Sequence, residues 1–188
     1  MLARAPRLLR SLCTAALILA CAGPGCADDG TDEGDERAEG DEGGEADATI
    51  SAAGWSFGEC LGKCSGTLTL AADDALDLAI LDWETQTTVG NTGTLTAAGR
   101  EQIDAAAVAL VGVALDETYG CPDCDDGGAS RITLIREGQS TEHNYEFSNP
   151  PAELAPADAL VTELIAALRT CTDGELLTLD EGCEPIEP

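Results

Sequence analysis

Aromatic side chains are scarce in this chain: two each of Trp, Tyr and Phe, 3% of 188 residues. A core built from such a sequence must be aliphatic and rather thin. Bases are scarce beside acids, nine Lys and Arg against 36 Asp and Glu, for a formal charge of −27. Binding to nucleic acid neutralises phosphates with basic surface, so nucleic acid is excluded as a partner. Direct contact with anionic lipid heads is disfavoured for the same reason. No apolar run reaches the roughly 20 residues that cross a bilayer as a helix. Catalytic signatures are missing too. There is no P-loop and no dinucleotide-binding glycine fingerprint, and no serine sits in a Gly-x-Ser-x-Gly elbow. The lone histidine, His143, alternates with Tyr145 and Phe147 and reads as a half-buried strand residue. Among 36 acids, close carboxylate pairs arise by chance and point to nothing. We therefore expect no catalytic residue and no cofactor.

What is present begins with an export signal over residues 1–20. Arg4, Arg7 and Arg10 supply its positive end, and Leu12 to Ala20 is an apolar run of 9. The run ends in Ile18-Leu19-Ala20-Cys21, which resembles the lipobox of bacterial lipoproteins. That resemblance implies cleavage before Cys21 and acylation of its thiol and new amino group. The membrane is then a partner only through this lipid. Ala22 follows the anchor in place of Asp. By resemblance to known sorting rules, this implies the outer membrane of a bacterial envelope. Residues 21–48 read as a tether. Its stretch 28–48 holds 11 acids, from Asp28 to Asp47, against one Arg37, with glycines filling most of the rest. Such a segment buries too little to offset its ordering entropy and is extended by self-repulsion.

Residues 49–170 are expected to form one domain, with an acidic tail over 171–188. Alternation places strands at Lys63–Ala71, Asp77–Glu84, Thr88–Leu95, Arg131–Arg136 and Thr141–Phe147. Gly90-Asn91 reads as a bend, and Glu137 to Ser140 as a hairpin connection. Thr96 caps a helix whose stripe is Ile103, Ala106, Ala107, Leu110, Val111 and Ala114. A second helix opens near Pro156, carries Leu160, Val161, Leu164, Ile165 and Leu168, and closes at Cys171. The order βββ-α-ββ-α predicts an α+β fold: a small antiparallel sheet of about five strands with both helices on one face. Disulfides would compensate for the thin core.

Nine cysteines are present. Cys13 leaves with the signal, Cys21 is the anchor, and Cys26 is the odd thiol in the tether. Six remain in the exported part: Cys60, Cys64, Cys121, Cys124, Cys171 and Cys183. Export favours disulfides over thiols. Cys121-Pro122-Asp123-Cys124 suits a tight turn with Pro at its second position, whose ends approach within about 7 Å. A disulfide needs a Cα separation of about 4.4–6.8 Å. Cys60 and Cys64 would lie ~13 Å apart in an extended chain, so they bridge only if Gly62 permits a turn. Pairing between the two clusters would close a loop of about 60 residues and constrain the unfolded chain more. Both arrangements stay open. Cys171 and Cys183 are left for each other. A zinc site from the four clustered thiolates has spacing only near the usual knuckle pattern, in an oxidising compartment. A redox role for Cys121 and Cys124 is opposed by Asp123, Asp125 and Asp126, which raise the thiol pKa. Those three carboxylates offer oxygen ligands for calcium, but lack the EF-hand register and read as a solvated acidic turn.

Three strings carry a further likeness: Ser56-Phe57-Gly58-Glu59-Cys60-Leu61-Gly62-Lys63-Cys64, Tyr119-Gly120-Cys121-Pro122-Asp123-Cys124-Asp125-Asp126-Gly127-Gly128, and Pro150-Pro151-Ala152-Glu153-Leu154. Together they resemble a family of uncharacterised bacterial lipoproteins and secreted proteins, over about residues 54–168. The resemblance implies architecture and no chemistry, and it does not extend to Cys171 and Cys183. The expected function is a non-enzymatic, lipid-anchored binding or structural module of the envelope. The alternative is a metal-binding or thiol-redox accessory protein using Cys60, Cys64, Cys121 and Cys124.

Overall fold

The computed structural model describes residues 48–187. The signal, Cys21, Cys26 and all but the last residue of the tether lie outside the described residues. The sheet is built from strands that alternate buried and exposed side chains. In β2 (Lys63–Leu70) and β3 (Ala75–Asp82), Leu68, Leu70, Leu76, Leu78 and Ile80 are buried, while Thr69 and Asp77 are exposed. β6 (Ala129–Arg136) buries Ile132 and Leu134, and β7 (Gln139–Glu146) buries His143 and Tyr145. β4 (Thr87–Leu95) contributes Asn91 and Leu95.

Three strands lie where none was expected, which makes the sheet eight-stranded rather than five-stranded. β1 (Ala48–Ser56) sits at the centre, between β2 and β6. Small residues and a register shift between Ile50 and Ala52 blur its alternation. Two edge strands are only two and three residues long: β5 (Thr118–Tyr119), between the first helix and the Arg131–Arg136 strand, and β8 (Leu177–Leu179), inside the expected tail. The spatial order is β5-β7-β6-β1-β2-β3-β4-β8. All neighbours are antiparallel except β5 and β7. Gly90-Asn91 makes no bend. Gly90 pairs with Ala79 within the ladder, and a Cβ there would meet the Leu78 carbonyl oxygen at 1.9 Å. The glycine serves close approach, not a turn. The β6–β7 hairpin turns on Glu137 and Gly138, both with positive φ.

Helix α1 (Ala97–Val108) begins as its sequence predicts, with Gly99 N donating to Thr96 Oγ1 at 3.0 Å. It ends earlier than the apolar stripe implied. Leu110 is buried, but Val111 is 42% exposed and Gly112 takes a left-handed φ. Helix α2 (Ala155–Thr170) buries Ala157, Leu160, Val161, Leu164 and Leu168, and Cys171 closes it at φ 51°. The buried strand residues and both helix stripes share one aliphatic core, in which the Tyr145 ring is fully buried. Neither helix, at 12 and 16 residues, is long and apolar enough to cross a membrane.

The segment after α2 is fastened to the fold rather than hanging from it. β8 extends the sheet at β4. Beyond it, Ile186 N donates to Arg169 O at 2.8 Å, and Asn91 binds the main chain of Glu184.

Candidate functional site

Between α2 and the adjoining ends of β1, β6 and β7 lies a groove of about 370 Å³. Four of the chain's six aromatic residues line it: Trp55, Phe57, Tyr145 and Phe147. Each position has a local cause. Trp55 is on the same side of β1 as the buried Ala53, opposite Gly66 of β2. A Cβ at Gly66 would come within 2.2–2.7 Å of the indole, so only glycine leaves room for the ring to lie flat there. Phe57 and Phe147 leave the ends of β1 and β7 and meet with centroids 4.6 Å apart, tilted by 59°. That arrangement contributes about 0.5–1.5 kcal/mol beyond burial. The third wall is α2, through Val161 and Ile165. Ile165 belongs to the helix stripe but is only partly buried, because it faces the groove.

The two glycine-set cysteine stretches meet at this rim. Phe57 N donates to Cys64 O at 2.9 Å, and Phe147 N donates to Gly128 O at 3.2 Å. Gly128, at φ 79°, lies so close under the Phe57 ring that a Cβ would stand 2.4 Å from it. Gly58 N donates to Asp123 Oδ1 at 3.2 Å, joining one stretch directly to the other. Glu146 grips the second turn from β7: Cys121 N donates to its Oε1 at 3.2 Å and Asn149 Nδ2 to its Oε2 at 2.9 Å. The Asn149 bond first, then the Cys121 amide, holds the Glu146 carboxyl below its ordinary value.

Each cysteine stretch closes on itself. Cys60–Cys64, Cys121–Cys124 and Cys171–Cys183 stand at disulfide distance, with Cα separations of 5.6, 5.4 and 5.8 Å. The cross-cluster alternative is not what the fold adopts. Gly62 supplies the required turn at φ 88°, and its carbonyl accepts from Cys64 N and Trp83 N. Asp123, Asp125 and Asp126 all take left-handed φ values on the acidic turn. Among the described residues no three Cys, His, Asp or Glu side chains gather as a metal site would require. His143 is buried rather than half-buried. Its Nδ1 lies 2.8 Å from Asp116 O and its Nε2 lies 3.1 Å from Thr141 Oγ1, so both ring nitrogens are engaged.

The polar groups of the groove differ between its ends. At the α2 start, the Tyr145 hydroxyl donates to Asp158 Oδ1 at 2.5 Å. Burial above all, and then this bond, raises the phenol far above its usual range, so it stays a donor. At the α2 end stand Lys63 and Arg169. Lys63 Nζ donates to the Glu187 carbonyl oxygen. Arg169 has no carboxylate at ion-pair distance among the described residues. The Arg131 guanidinium is already taken up by Thr67 at 2.7 Å and Glu142 at 4.0 Å.

The groove escaped sequence reading because its walls come from positions as distant as Trp55 and Ile165. A signal existed in the chain: Trp55 with Phe57, and Tyr145 with Phe147, are the only aromatic pairs at strand spacing. Compared with known proteins, the chain matches no family model and no curated sequence.

Proposed function

We propose that this chain is a non-enzymatic binding module of the bacterial envelope, held by a lipid on Cys21 and displayed on the acidic tether. The groove beside α2 is its ligand site. The observation that carries this reading is the concentration of scarce rings: four of six aromatic residues line one groove. An apolar concavity with a few placed polar groups is what a small-molecule site requires. The two stapled turns then hold the rim. They fix Phe57 and Phe147 through main-chain bonds and so lower the ordering cost of binding. On this reading the likeness of the cysteine strings to uncharacterised envelope lipoproteins describes the same rim. Both helices packing on one face of the sheet leaves the groove open along α2.

Two measurements test the proposal. The Cys21→Ser protein should leave the membrane fraction, and unchanged fractionation would remove the anchor from the reading. Small apolar fragments added to the labelled protein should shift NMR resonances of Trp55, Phe147 and Ile165. Shifts scattered over the surface would remove the groove.

A further inference from the structure

Resting on the binding reading above, we infer that the groove takes a small organic anion: a carboxylate on an aliphatic or aromatic skeleton. Residues 49–188 hold 25 acids and only five bases. Yet three of those five, Lys63, Arg131 and Arg169, line the groove; Arg131 is held by Thr67 and Glu142, which leaves Lys63 and Arg169. Both meet consecutive residues of the C-terminal segment: Arg169 O accepts from Ile186 N, and Lys63 Nζ donates to Glu187 O. The C-terminal segment thus passes both the end of α2 and the start of β2, and both residues line that end of the groove.

Among the described residues no carboxylate stands at ion-pair distance from Lys63 or Arg169. Asp158 accepts from the Tyr145 hydroxyl. Asp82, opposite Lys63 in the β2–β3 ladder, accepts from the amides of Glu84 and Thr85 at 2.9 and 3.0 Å, and Lys63 adds only the smallest pull on its charge. Lys63 keeps donors beyond the one given to Glu187, and a guanidinium offers five in a planar fork that suits a carboxylate. These two local cations beside an apolar wall favour an anionic group at this end, against the negative field of the whole chain.

From Asp158 to Arg169 the helix rises ~16 Å. Along that length the groove presents Val161 and Ile165 facing Trp55 and Phe57. A carboxylate at the Lys63/Arg169 end would therefore lay its skeleton along the rings, towards Tyr145. A cavity of 370 Å³ lies in the lower part of the range for small-molecule sites, about 300–1,000 Å³.

The test is a calorimetric titration of the full-length protein with octanoate and 2-naphthoate, each beside its alcohol and its amine. The carboxylates should bind about tenfold more tightly than the alcohols, as one charge-assisted contact warrants, and the amines most weakly. Arg169→Gln and Lys63→Gln should each remove most of that preference while leaving the alcohols unaffected. Trp55→Ala should weaken carboxylate and alcohol alike. Equal affinity for carboxylate and alcohol in the unsubstituted protein overturns the anion inference and leaves the binding module standing. So does a preference that both glutamine variants retain. Absence of binding by every probe overturns the module itself.

Discussion

The Asn91 side chain and the Glu184 main chain close a ring of two hydrogen bonds, with Nδ2 donating to Glu184 O at 2.9 Å and Oδ1 accepting from Glu184 N at 3.1 Å. The same Nδ2 donates to Leu168 O at 2.8 Å, near the end of α2. One buried amide on a central position of β4 thus ties helix and C-terminal segment together. Asn91→Ala would leave two carbonyls and an amide without partners, at about 1–3 kcal/mol for each group that stays buried. We expect a loss of about 2–3 kcal/mol in urea unfolding, with the C-terminal residues exchanging amide protons first. A stability unchanged by the substitution would show that the disulfide, the β8 pairing and the Ile186 and Glu187 contacts hold the segment without Asn91.

The three cysteine pairs should differ in what they contribute. In the chain-entropy account, bridges at sequence separations of three and four constrain the unfolded chain by about 2 kcal/mol and one at a separation of 12 by about 3. Cys171→Ser with Cys183→Ser should therefore lower the unfolding free energy more than the double substitution at Cys121 and Cys124. Intact mass with and without reductant checks the premise, since six blocked domain thiols must appear on reduction. A mixed bridge from Cys60 or Cys64 to the second turn, found by peptide mapping, would contradict the local pairing.

Much of this arrangement was legible in the chain, and the reasons for the rest are specific. Leu76, Leu78 and Ile80 announce β3, and Leu160 to Leu168 announce α2, because each element buries one regular face. β1 has no such face. Its central run is Ala52-Ala53-Gly54, and its position is set by close approach: a Cβ on Gly54 would stand 2.6 Å from Gly66 O. β8 is three residues long and exists because Asn91 and Cys183 hold the segment nearby. The cysteine pairings turned on backbone angles at Gly62 and on the turn at Cys121, which spacing restricts without deciding. The groove depended on packing between elements that no local pattern encodes.

The grip of Glu146 on the second turn gives an acid-dependent loop. Its carboxyl is held low by Asn149 and Cys121, so the ionised form is bound more tightly in the folded state. The stabilisation is present above the unfolded value of about 4.3 and disappears as pH falls through the lower folded value. In a carboxyl-detected NMR titration, Glu146 should protonate below the exposed glutamates. The Cys121 amide resonance should move with the same midpoint. Glu146→Gln should abolish that step without unfolding the sheet. A Glu146 midpoint at the ordinary glutamate value would contradict the hydrogen-bonded geometry.

Gly66 gives the most direct handle on the groove, because it acts on Trp55 without touching the rim or the cations. A methyl group there would fall within 2.2 Å of the indole, so the ring must swing out of its seat. Gly66 has no positive φ, so alanine meets only the steric conflict and not backbone strain. Overpacking of this kind costs about 1–3 kcal/mol. Gly66→Ala should lower stability by that amount, red-shift the tryptophan emission as Trp55 gains water, and weaken every groove ligand regardless of charge. A reference variant separates the effects. Gly138→Ala lies in open space but at φ 72°, so it should destabilise the β6–β7 hairpin while leaving the indole emission unchanged. If Gly66→Ala and Gly138→Ala shifted the emission alike, the seat of Trp55 over Gly66 could not be what shapes the groove.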